Sequence, residues 1–270
     1  MKKDYVLRIK SDLALALLLI AASVVCAQEA PAPNARLVSF RAFGGTLYGI
    51  LYVPEGTGPF PAVIWNHGSE KNPGLQPHLA SFYNTHGFVF FLPHRHGQGK
   101  SPGVYIMDEI HRGGFTGAAQ AQEDANKDVV AAVNWLKTQP EVDPNRIVVS
   151  GCSFGGIQTL LTAEIGVGAR AFIAFAPAAQ SWGNMPLEEM LEDAVKHAKA
   201  PVFILQAQND YSTQPAEVLG KIAVAHGGRA KIYPAFGKTA QEGHAAFATT
   251  SAGIAVWGED VLQFIEAALR

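Results

Sequence analysis

Cysteine is nearly absent from this 270-residue chain: there are two, Cys26 and Cys152. A disulfide framework is excluded as the basis of the fold. Charge of one sign is also missing. Lys and Arg number 21 against 23 Asp and Glu, a formal net charge of -2, so there is no basic field for nucleic acid and no long charge run for a polyelectrolyte partner. The one long apolar run, Leu13 to Val25, has 13 residues, short of the roughly 20 that cross a bilayer as a helix. There is no internal repeat and no low-complexity stretch beyond a Pro- and Ala-rich leader near the N-terminus. What remains is 48% hydrophobic, ordinary for a packed α/β core and enough for one globular domain plus extras.

The first 27 residues read as a secretory signal peptide. Lys2, Lys3, Arg8 and Lys10 form a positive n-region, Leu13 to Val25 the apolar h-region, and Val25-Cys26-Ala27 offers tolerable residues before a cut at Gln28. An uncleaved anchor is the bland alternative. Cleavage would remove four basic and two acidic residues, leaving 17 against 21, a charge of -4. It would leave Cys152 as the lone cysteine, so no intrachain disulfide could form. The expected location is exported, periplasmic or secreted, with no stable membrane insertion after cleavage. Residues 28–36 read as a flexible leader and 37–270 as the folded domain.

Along that domain, short apolar runs alternate with helical patterns. Leu37 to Phe43 and Thr46 to Val53 read as a hairpin turning at Gly44-Gly45. Buried strands follow at Ala62 to Trp65, Phe88 to Leu92, Arg146 to Val149, Ala171 to Phe175, Val202 to Leu205 and Ala230 to Tyr233. Helices are expected over 77–86, 118–138, 157–164, 187–197, 216–226 and from about Val256 to Leu269. Pro93 to Thr116 reads as a long polar, Gly-rich loop. This alternation predicts a mostly parallel, doubly wound sheet with helices on both faces, whose ligand crevice lies beyond the carboxyl ends of the strands.

The sequence turns on Gly151-Cys152-Ser153-Phe154-Gly155, a G-x-S-x-G set between a strand and a helix. That is the context of a nucleophile elbow, where a strained turn pushes the serine hydroxyl out of the sheet. A serine needs a base, and the base an orienting carboxylate. Ser153, Asp210 and His244 supply them in the order Ser…Asp…His. Asp210 falls just past a strand end; its rivals are Glu217 and Asp193. His244 sits in the loop after the last strand beside Gly243; its rival His226 complements a helix C-terminus. Oxyanion donors are expected from the backbone N–H of Phe154 and of Ser69, in the His67-Gly68-Ser69 loop. His67 is a candidate substrate-side residue that more simply braces that loop. Trp182 and Met185 could line an acyl pocket or pack on the core. The metal reading of His94, His96 and His111 lacks a completing carboxylate or Cys, so no metal is assigned and His94 to Ser101 reads as a pocket rim. Cys152 reads as a buried structural thiol.

Together, Trp65-Asn66-His67-Gly68, Arg95-His96-Gly97-Gln98-Gly99-Lys100-Ser101, Gly151 to Gly156, Asp210 and Gly243-His244 resemble the α/β-hydrolase superfamily. Within it they are similar to the dienelactone hydrolase and prolyl-oligopeptidase-like branch, over about Thr46 to Arg270. The resemblance implies a Ser-His-Asp hydrolase of esters or related acyl compounds, working without a cofactor. Dienelactone hydrolases place a cysteine at the nucleophile position, where this chain has Ser153. Only Pro177 to Ala200 is available as a cap, which suggests an open cleft and a small or exposed ester as substrate. A small peptidase or amidase on the same triad, and a non-catalytic binding protein of the same fold, are the other readings.

Overall fold

The computed structural model describes residues 35–42 and 44–270, with backbone alone at 115 and 116. The expected signal peptide, its cleavage site and most of the leader lie outside the described residues. Ala35 and Arg36, expected to end the leader, belong to the first strand.

Eight strands form one sheet: β1 (Ala35–Ala42), β2 (Gly45–Tyr52), β3 (Phe60–Asn66), β4 (Val89–His94), β5 (Val142–Cys152), β6 (Ala171–Phe175), β7 (Val202–Ala207) and β8 (Arg229–Tyr233). Their spatial order is β1-β2-β4-β3-β5-β6-β7-β8. β1 pairs with β2, and β2 with β4, antiparallel; every other pairing is parallel. The hairpin closes between Ala42 and Gly45, which are register partners, and Gly45 takes φ 132°, open to glycine at no steric cost. β3 lies between β4 and β5. The chain winds outward from β3 in both directions, so the switch point and its crevice fall at the ends of β3 and β5.

The buried residues alternate between two cores, as the strand period of two requires. On one face Ile64, Phe91, Val149, Phe172 and Ile204 meet α2 (Ile106–Leu136), α3 (Phe154–Ile165), α4 (Met185–Lys196) and α5 (Gln214–Ala225). On the other, Val63, Trp65, Phe90, Val148, Ile173 and Phe203 meet α1 (Pro77–Thr85), the short α6 (Phe247–Thr249) and α7 (Ser251–Leu269). Trp257 of α7 lies edge-on to Phe175 at 4.8 Å and to Phe82 at 5.4 Å. The doubly wound α/β arrangement expected from the sequence is the one observed.

Strand and helix ends shift by up to four residues, as where β5 starts at Val142 rather than Arg146, and three further differences stand out. α2 begins at Ile106, inside the stretch read as loop. Its glycines masked a first helical limb that ends where Gly114 turns the chain with φ 62° and ψ -150°. α7 begins at Ser251, five residues earlier than the pattern suggested, because the Thr250 hydroxyl caps the N–H of Gly253 at 3.2 Å. His244 sits in a π-helical turn, Glu242–Ala246, rather than an open loop.

α3 approaches β3 without room for a side chain. A Cβ on Gly155 would stand 1.8 Å from the carbonyl oxygen of Asn66, and one on Gly151 would stand 2.6 Å from the same atom. Both glycines are thus fixed by backbone contact. Gly155→Ala is expected to destabilise the fold by about 3 kcal/mol or more, since backbone must move. Gly113→Ala, where no atom lies within 4 Å, should be neutral. Thermal unfolding of the two variants checks this.

Candidate active site

Ser153 is the hinge between β5 and α3. Its backbone is held at φ 59° and ψ -120°, a strained region for a residue with a Cβ. Two hydrogen bonds fix it there: its N–H donates to Phe175 O at 3.0 Å, and its carbonyl accepts from Ile157 N at 3.1 Å. Phe154 is the first residue of α3, so its N–H has no intrahelical acceptor.

Asp210 and His244, 34 residues apart, meet at the end of the sheet. Nδ1 of His244 lies 2.8 Å from Oδ1 and 3.0 Å from Oδ2 of Asp210, both side chains being buried. A carboxylate only accepts, so Nδ1 carries the proton and Nε2 presents a lone pair. Nε2 is buried with no hydrogen-bond partner. The Asp210 carboxylate also accepts from Tyr211 N at 2.6 Å, and the Tyr211 ring packs edge-on to the imidazole. Ser153 and His244 line one cavity of about 420 Å³, with Trp65, Gly68, Ser69, Glu70 and Cys152 also on its wall.

Asn209, which the sequence reading passed over, sets the register between the Asp210 and His244 segments. Its amide donates to Phe236 O and Thr239 O, each at 2.9 Å, and its Oδ1 accepts from Phe236 N at 2.7 Å. A Cβ on Gly243 would meet that Oδ1 at 2.6 Å, so only glycine lets the turn carrying His244 come this close.

The loop after β3 is braced from beneath by the segment read as a rim. Arg95, 2% exposed, donates from Nη2 to His67 O at 2.9 Å and Gly68 O at 2.6 Å, and from Nε to Gln98 Oε1 at 3.0 Å. Gln98 donates to Glu70 O at 2.8 Å, and Tyr105 Oη to Ser69 O at 2.5 Å. Four successive carbonyls are thereby tied to one side. In a trans peptide the carbonyl and the next N–H point opposite ways, so tying Gly68 O down turns the N–H of Ser69 away from Arg95. Burial draws Arg95 down to about 10, still a cation at neutral pH, and it stacks on the Phe154 ring at 4.9 Å. The role of Arg95 was legible only as an odd Arg-His-Gly-Gln-Gly run.

The remaining candidates are placed elsewhere. His67 is buried, hydrogen-bonded to Arg95 and not on the cavity wall. Trp182 is half-buried against the core under α4, and Met185 is 65% exposed at the start of that helix. Neither lines the Ser153 cavity: of the segment before α4, Gln180 reaches the cavity wall, while Trp182 packs against the core. His94, His96 and His111 do not converge. His94 Nδ1 accepts from Lys100 N, while His96 lies between Asp128, at 2.5 Å, and Glu109, at 3.3 Å. Those carboxylates belong to the two limbs of α2 and hold the His96 ring above its usual range, the Asp128 hydrogen bond foremost. A larger cavity of about 590 Å³ opens beside His96 and contains no part of the Ser153 group. His226, Glu217 and Asp193 engage their own helices. Cys152 is buried, and burial pushes its thiol well above the usual range, aided by the fields of Asp210 and Glu70.

The sheet order, the elbow at Ser153 and the loop arrangement are those of the α/β-hydrolase fold. Residues 49–250 match the family model described as dienelactone hydrolase family, and the chain belongs to that family. Among curated proteins it is 30% identical over 158 residues to the polyketide transferase grgF of a Penicillium species, covering 58% of this chain and 49% of that one. It is 28% identical over 161 residues to the esterase EstD of Thermotoga maritima, covering 57% and 34%, and 28% identical over 159 residues to the uncharacterized peptidase YtmA of Bacillus subtilis, covering 57% and 54%. The match spans about half or less of each relative's length. Similar solved structures include DcsB with its substrate analogue, at 16% identity and TM-score 0.65 over 87% of this chain and 99% of that one. A putative dienelactone hydrolase from Klebsiella pneumoniae gives 18% identity and TM-score 0.62 over 86% and 98%.

The buried imidazoles predict an acid-sensitive fold. Burial, then the charges of Arg95 and Lys100, lowers His94 from 6.5 to about 4. Between those values the unfolded chain takes up a proton that the folded chain refuses, so stability is full above pH 6.5 and falls as pH drops toward 4. The loss from this ring is at most roughly 3 kcal/mol. Urea unfolding across pH 4–7 should show the slope, and His94→Asn should make it shallower.

Proposed function

We propose that this chain is a serine hydrolase that cleaves carboxylic esters of small or exposed substrates through Ser153, His244 and Asp210. The observation that carries the reading is the His244 imidazole. One nitrogen is pinned by a buried carboxylate and the other is unpartnered, in the cavity that also holds Ser153. Family membership and the similarity to an esterase support the same class.

The chemistry follows from the protonation states. Nε2 of His244 takes the Ser153 hydroxyl proton as Oγ attacks the ester carbonyl. Asp210 stabilises the imidazolium so formed. The carbonyl oxygen gains the negative charge and accepts from the N–H of Phe154 and of Ser69. As the tetrahedral centre collapses, the C–O bond breaks and the imidazolium protonates the leaving alcohol. Water then attacks the acyl-serine with His244 as base, releasing the acid and restoring the hydroxyl. The strain at Ser153 and the brace under Ser69 fix attack and oxyanion geometry before substrate arrives.

We further propose that the protein is exported, with residues 1–27 as a removable signal; mass spectrometry of the N-terminal peptide from a periplasmic or medium fraction should show that it begins at Gln28.

A fluorophosphonate should label Ser153 in the folded protein, and p-nitrophenyl acetate should give an acyl-enzyme burst. Ser153→Ala should abolish labelling and lower turnover by about 10⁶, while Asp210→Asn should cost about 10⁴ by disturbing the tautomer. Wild-type and Ser153→Ala rates that coincide would remove the mechanism.

A further inference from the structure

The wall of the Ser153 cavity carries an unmatched charge, and it is negative. Apart from His244, Glu70 is the one ionisable acid or base among its described lining residues besides the buried thiol; the larger polar side chains there are the amides Gln76, Gln180 and Gln241. No Lys or Arg is among them.

Glu70 is held beside the nucleophile. Its backbone carbonyl is tied to Gln98. Its Oε2 lies 2.5 Å from the point where a Cβ on Gly68 would stand, and the Cβ of Ser153 lies 3.7 Å from that same point. The Glu70 carboxylate and the Ser153 side chain therefore flank one glycine. The Glu70 side chain is 44% exposed, and among the described residues the one basic nitrogen within 4.0 Å of its carboxylate is Nδ1 of His67. Burial, then Arg95 and His94, keeps that ring neutral. Arg95 feels the field of Glu70, yet its guanidinium is engaged beneath the loop by His67 O, Gly68 O and Gln98.

A fixed anion here opposes the reaction unless the substrate answers it. The oxyanion of the proposed reaction would form at the N–H groups of Ser69 and Phe154, one residue from Glu70, and like charges at such short range repel. A substrate that brings a cation converts this repulsion into a charge-assisted contact. An anionic substrate adds to it.

The geometry points to an aminoacyl-type substrate: an ester whose ammonium group, a few bonds from the scissile carbonyl, is held by Glu70. This assignment rests on the serine-hydrolase reading for turnover, though not for ammonium binding.

The isosteric pair β-alanine ethyl ester and ethyl butanoate tests it at pH 7. Wild-type kcat/KM should favour the ammonium ester by about tenfold or more, the preference shrinking at 0.5 M NaCl as screening predicts. Glu70→Gln should bring the two esters to within about threefold, and should raise kcat/KM on ethyl butanoate because the opposing charge is gone. No wild-type preference, or a preference that survives Glu70→Gln, overturns the assignment. If neither ester is turned over faster by wild type than by Ser153→Ala, the hydrolase reading fails on its own. Binding then decides for Glu70: β-alaninamide should raise the thermal midpoint of wild type more than butanamide does, and should lose that advantage in Glu70→Gln. Equal shifts from the two amides in wild type overturn it.

Discussion

The carbonyl oxygen of Asn66 occupies the space where residues 151 and 155 would otherwise carry side chains. This backbone contact joins the end of β3 to the start of α3. It sets the Ser153 hinge against the loop that begins at His67, so both groups proposed to act on an acyl carbon hang from one point. The register of the parallel pair, Asn66 beside Gly151, repeats the constraint one layer down. Loss of that contact would separate the proposed oxyanion donors of Ser69 and Phe154, since each is carried by one of the two elements.

Polar groups beneath the loop do the next part of the work. Arg95, Gln98 and Tyr105 satisfy four consecutive carbonyls of the loop after β3. A buried guanidinium left without such partners would be costly. With them it orders a segment that has no regular secondary structure of its own. On the opposite wall Asn209 plays the corresponding part, tying the loop that follows β8 to the strand end that bears Asp210. The Ser153 cavity is thus built from short loops tied down by side-chain hydrogen bonds to their backbone. The cap side contributes little, because Trp182 and α4 lie on the sheet face.

Electrostatics sharpen the picture. His67 and His94 are buried near Arg95 and are driven toward neutrality. His96, a residue further on, is drawn the other way by Asp128 and Glu109. Three nearby imidazoles are thus shifted in two opposite directions by their surroundings alone. Glu70 is the exception on the cavity wall: it faces the Ser153 cavity with no Lys or Arg among the lining residues, and the proposed substrate class rests on that imbalance.

The hydrophobic runs and the G-x-S-x-G turn determined the layer order, most strand positions and the identity of the residues gathered at the rim. They could do so because burial on two faces leaves a periodic trace, and because a strained elbow demands glycine on both sides. What only the folded chain decided was the helical limb from Ile106, the π turn at His244, the exclusion of Trp182 and Met185 from the cavity, and the parts taken by Arg95, Asn209 and Glu70. Each depends on contacts between residues some 30 or more positions apart or on where a loop lies in space. A polar side chain in a loop gives no periodic signal from which its partner can be read.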